Sequence, residues 1–156
     1  MRNIKIEKMR YQENKSSYNL ALVAFLINQY YLVTSLNSLA ITYHIGIEIA
    51  INLMTFMFMF LGMERVKDHD EKWSKYFMGL AGFDIVRILY MPRMLFVQAN
   101  ELIQTGDTIS IETGKSILLA GYKSAGALIV MSILILISGI IGYRKASALK
   151  KYYGTK

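Results

Sequence analysis

Apolar residues gather in four long blocks, at positions 18–41, 44–63, 76–97 and 117–143, and the segments between them are polar. A helix that crosses a bilayer needs about 20 mostly apolar residues, and each block reaches that length. The pattern predicts an all-α membrane protein with a four-transmembrane-helix bundle over 18–143. A polar, basic tail at 1–17 precedes the bundle, and a basic tail at 144–156 follows it.

The connections differ in character. Two residues separate the first two blocks, which implies a tight antiparallel hairpin. Positions 64–75 interleave charges of both signs and read as a short loop or a solvated helical extension. Positions 100–115 hold Gly106, Asp107 and Gly114, which are turn signals, and read as an outer loop. The last block is expected to stay helical for a turn or two past Tyr143 and to fray near Gly154. No internal repeat is visible.

Charge orients the bundle. Arg2, Lys5, Lys8, Arg10 and Lys15 precede the first block; Arg65, Lys67, Lys72 and Lys75 lie in the second connection; Arg144, Lys145, Lys150, Lys151 and Lys156 end the chain. The first connection has no Lys or Arg, and the third has only Lys115. The positive-inside rule therefore predicts cytoplasmic N and C termini. The first block resembles a signal peptide only loosely. Ser38, Leu39 and Ala40 could form a cleavage site, but the lead is long and the apolar stretch exceeds an ordinary signal core, so retention is expected.

Composition narrows the class. The hydrophobic share is 54%, above the usual soluble fraction of about 45–50%. Cysteine is absent, which excludes disulfides, thiolate metal sites and thiol redox relays. The net charge of +7 does not imply nucleic acid, because most charges flank the apolar blocks. They read as topology determinants and as contacts to anionic lipid headgroups. Small size and abundant Ile, Lys, Asn and Tyr point to a bacterial plasma membrane.

Polar side chains inside a span are costly, so their positions are the best functional evidence. His44, Glu48, Asn52 and Thr55 share one face of the second block. Asn28, Tyr31, Ser35 and Ser38 form a stripe on the first, with Gln29 and Tyr30 off it. Asp84 and Arg87 sit one turn apart in the third, followed by Pro92 and Arg93. Proline there should free the carbonyl of Ile88 and kink the helix. The fourth block carries Lys123 and a small-residue face of Gly121, Ser124, Ala125, Ser132, Gly139 and Gly142, interrupted by Leu128 and Ile135. That face reads as packing, because small residues let backbones approach closely.

Glu48, Asn52, Asp84, Arg87, Arg93, Lys123, Asn28 and Tyr31 are the candidate ligand or ion pathway, with Asn37, Tyr90 and Tyr122 as possible additions. Arg87, Arg93 and Lys123 outnumber Glu48 and Asp84, which would favour an anion. The plainer reading is that Asp84 and Arg87 pair to fix helix order, that Lys123 snorkels to headgroups, and that the amides bond between helices. Asp84 could carry a proton, but Arg87 beside it opposes that role. His44 with Glu48 is too small a donor set for a metal, and His69 lies on the other side of the bilayer. No nucleophile elbow, zinc-protease helix, phosphate loop or dinucleotide fingerprint is present. No enzyme, cofactor or metal is therefore expected. The expectation is a non-enzymatic accessory or structural subunit of a membrane complex, assembled with other subunits or with itself. The alternative is a small oligomeric transporter or channel for a polar or anionic solute.

Overall fold

The computed structural model describes Lys8, residues 11–36 and residues 43–154. These residues form four helices: α1 at Lys15–Leu36, α2 at Tyr43–Lys67, α3 at Glu71–Gln104 and α4 at Thr108–Gly154. Among the described residues there is no β-strand. The chain is an all-α four-helix bundle.

Residue contacts fix the arrangement. Phe25 of α1 stacks at 4.7 Å on Phe56 of α2. Gly62 of α2 lies against the Phe77 ring of α3, and Gly121 of α4 against Phe96 of α3. Ser17 and Ser138, then Ser35 and Ser124, join α1 to α4. With the second contacts Tyr31–Glu48, Glu48–Arg87 and Ser74–Gly139, one number rises as the other falls in every pair, so all four neighbouring pairs are antiparallel. The backbones of α1 and α3 do not meet, and α2 and α4 barely touch, so the helices stand in a square in chain order. Most of the packing is along α3–α4 and α1–α4; α2 is the least embedded helix.

Local sequence sets the turns. Helix α2 ends in a Schellman arrangement, with Asp70 N–H donating to Arg65 at 3.1 Å and His69 N–H to Val66 at 3.2 Å. His69 takes the left-handed position at φ 62°, where glycine is usual. Asp70 then caps α3, its Oδ1 accepting from Lys72 N–H at 2.8 Å and Trp73 N–H at 3.3 Å. Gly106, at φ 77°, turns the chain between α3 and α4.

Two boundaries differ from the sequence reading. Helix α3 continues through Pro92 to Gln104, and α4 begins at Thr108, so the outer loop expected at 100–115 shrinks to residues 105–107. The reason is packing. Leu95 and Ala99 of α3 bury against Ile117 of α4 beyond the proline. Proline removes one helical hydrogen bond, and the apolar seam past it outweighs that loss. Gly114 is not a turn residue. A Cβ there would lie 2.7 Å from Ile103 and 2.9 Å from the Ala99 carbonyl, so it is a close approach between helices.

The interior is unusually polar. Asn14, Ser17, Asn28, Ser35, Glu48, Asn52, Thr55, Ser74, Asp84, Arg87, Ser124, Ser132 and Ser138 are all buried, among apolar residues such as Met59, Phe77, Leu128, Met131 and Ile135. The outside is apolar: Leu53, Met54, Met57, Phe58 and Phe60 of α2 are exposed, as are Ile85, Val86 and Leu89 of α3. Two helical stretches, Ile45–Lys67 and Thr108–Tyr153, are long and apolar enough to cross a membrane. Polar residues such as Asn28 and Gln29 dilute α1, and Asp84, Arg87 and Arg93 interrupt α3.

Candidate functional site

Three helices bring their polar residues to one place. Helix α1 supplies Tyr31, α2 supplies Glu48 and Asn52 one turn apart, and α3 supplies Asp84 and Arg87. None of the five is more than 4% exposed. Heights explain the meeting. Glu48 lies nineteen residues before the end of α2 and Arg87 sixteen after the start of α3, about 29 and 24 Å from the shared turn at 1.5 Å per residue.

Glu48 is the hub. Its Oε1 accepts from Tyr31 OH at 2.5 Å, from Asn52 Nδ2 at 2.8 Å and from Arg87 Nη2 at 2.8 Å. Arg87 also donates through Nη1 to Asp84 Oδ1 at 3.2 Å. Its guanidinium lies 5.0 Å from the centre of the Tyr31 ring, within cation–π range. Charge-assisted bonds of this kind are stronger than neutral ones, and burial removes the competing water.

Several atoms of the set are unpartnered: Glu48 Oε2, Asn52 Oδ1, Asp84 Oδ2 and Arg87 Nε. Three of these four are oxygens. The set holds two carboxylates against one guanidinium, a formal excess of one negative charge. Among the described residues no group of three or more His, Cys, Asp or Glu side chains could hold a metal ion.

The other candidates separate. Arg93 and Lys123 are exposed and stand outside the buried set, so the sign of its charge is opposite to the positive balance counted on sequence. Tyr122 and Tyr90 are also exposed. Asn28 is buried one turn from Tyr31, with neither amide atom bonded. Ser35 turns to α4 and shares a hydrogen bond with Ser124 at 3.2 Å. Asn37, Ser38 and the His44 side chain lie outside the described residues.

A second polar cluster escaped the sequence reading. Ser138 Oγ donates to the Ser17 carbonyl at 2.7 Å, and Ser17 Oγ donates back to the Ser138 carbonyl at 2.5 Å. Nearby, Lys145 Nζ donates to Asn14 Oδ1 at 2.7 Å. Ser138, a lone hydroxyl in an apolar run, was the available signal. Asn14 gave none, because it sits in a segment that reads as a tail.

No family model matches this chain, and no curated protein or solved structure is significantly similar to it.

Proposed function

We propose that the protein is an integral membrane component with four spans and both termini in the cytoplasm, acting as a non-enzymatic subunit of a larger membrane assembly or of a homo-oligomer. One observation carries the reading: Glu48, Asp84, Arg87, Asn28 and Asn52 are inside the bundle, and many large apolar side chains, such as Leu53, Met57 and Leu89, are outside. In water that distribution is inverted. In a bilayer it is the expected one, because lipid-facing polar groups are costly and polar side chains turn inward. Only 28% and 44% of the most apolar windows of α2 and α4 are buried, whereas the core helix of a soluble bundle is buried over most of its length.

The Lys and Arg distribution supports the orientation. It also supports a plasma-membrane location with anionic headgroups against the basic segments. The weak embedding of α2, with its outward Met and Phe side chains, supports assembly through that helix. The full chain should be extracted from membranes in mild detergent and examined by native mass spectrometry. A retained partner or a defined oligomer is the expected result. Ion or solute flux in liposomes that hold the purified protein alone would replace the subunit reading with the transporter one.

A further inference from the structure

The buried set has one negative charge too many and unequal claims on its single cation. Glu48 Oε1 receives three donors, at 2.5, 2.8 and 2.8 Å. Asp84 receives one, at 3.2 Å, and its Oδ2 receives none. Hydrogen bonds to a carboxylate favour its charged form, and an unbalanced charge away from water is expensive. Both considerations distinguish the two acids in the same direction.

We propose that Asp84 is a proton-binding site: its Oδ2 binds one exchangeable proton, while Glu48 keeps the closer contact to Arg87. The step is simple acid–base chemistry. The carboxylate takes a proton from water, an O–H bond forms at Oδ2, and the buried set becomes neutral. Arg87 does not block this, because its closer contact is to Glu48 on the neighbouring helix.

Among the described residues, the charged groups that act on Asp84 are Arg87 of α3 and Glu48 of α2, and Tyr31 of α1 reaches the set through Glu48 and Arg87. The buried residues of α4, among them Ser124, Leu128, Met131, Ser132 and Ile135, include no titratable group. Release of the proton returns the negative charge and makes two carboxylates compete for one guanidinium. That guanidinium joins α2 to α3, and these helices share little other packing. Proton occupancy therefore sets how firmly α2 is held. The inference rests on the buried geometry and not on the subunit reading above.

Infrared spectroscopy of the purified full chain tests it. A protonated-carboxyl stretch is expected at mildly acidic pH. It should shift when aspartate carries a side-chain isotope label, stay unmoved when glutamate carries it, and vanish in Asp84→Asn. Neither label requires a variant, so the assignment survives even if Asp84→Asn folds poorly. Wild-type protein without any protonated-carboxyl band at mildly acidic pH would overturn the proposal, and so would a band that moves with the glutamate label.

Discussion

Arg87 lies 2.8 Å from Glu48 on the neighbouring helix and 3.2 Å from Asp84 on its own. The cross-helix pair is therefore the tighter one, and it bridges the two helices with little other packing between them. Arg87→Met leaves Glu48 buried without its counter-ion, a cost on the order of 3–5 kcal/mol. Glu48→Met with Arg87→Met removes both charges and should recover most of that loss. Unfolding in detergent, followed by circular dichroism, measures the series. A double variant as unstable as the single one would show that the pair is not acting as a pair.

The α3–α4 seam makes a second expectation. A Cβ at Gly139 would lie 2.9 Å from the Ser74 carbonyl, and one at Gly142 would lie 2.6 Å from Ser74 Oγ. Gly139→Leu must push the backbones apart, at a cost of about 1–3 kcal/mol or more. Ile133→Leu, on the exposed side of the same helix, should be close to neutral. Folded yield by size-exclusion chromatography separates the two, and an unperturbed Gly139→Leu would contradict the close approach.

The α3–α4 turn depends on Gly106, whose φ of 77° suits glycine. Space around it is open, so backbone conformation is the only obstacle to a side chain. Gly106→Ala should cost about 1–2 kcal/mol. Thermal unfolding checks this, and an unchanged midpoint would mean that the turn relaxes freely.

Glu71 gives the acid-side expectation. It accepts from Lys75 at 2.8 Å and from Lys150 at 3.2 Å, and these bonds hold its carboxyl below the usual range. A depressed value means that the tie is present above the unfolded value of about 4.3 and is lost as pH falls through the folded one. Amide protection near Lys150, taken relative to the intrinsic exchange rate at each pH, should therefore fall as the solution is acidified below about pH 4. In Glu71→Gln that protection should be low already at neutral pH. Exchange that ignores both changes would leave the contact without a role.

The sequence marked the helices and most of the buried polar residues, because both signals are local. Asn28, Tyr31 and Ser35 share a helical face, and so do Glu48 and Asn52; a face is legible from spacing alone. Partnership across helices was not legible. The i,i+3 spacing pointed to Asp84–Arg87, whereas the tighter contact runs from α3 to α2 over 39 positions. It could have been approached by comparing heights above the 68–70 turn, which requires knowing that α3 starts at Glu71. The end of α3 was missed for a similar reason. Gly106, Asp107 and Gly114 are local turn signals and set the expected loop, and the seam of Leu95, Ala99 and Ile117 that keeps both helices going toward it is tertiary.

Residue accessibility in intact cells tests the proposed four-span topology with cytoplasmic ends most directly. The chain has no cysteine, so single cysteines can be introduced without background. Lys72 and Gln104 are exposed at opposite ends of the bundle. A membrane-impermeant thiol reagent should label Gln104→Cys in intact cells and Lys72→Cys only after permeabilisation. Equal labelling of both from outside, or recovery of the protein in the soluble fraction, would contradict the account.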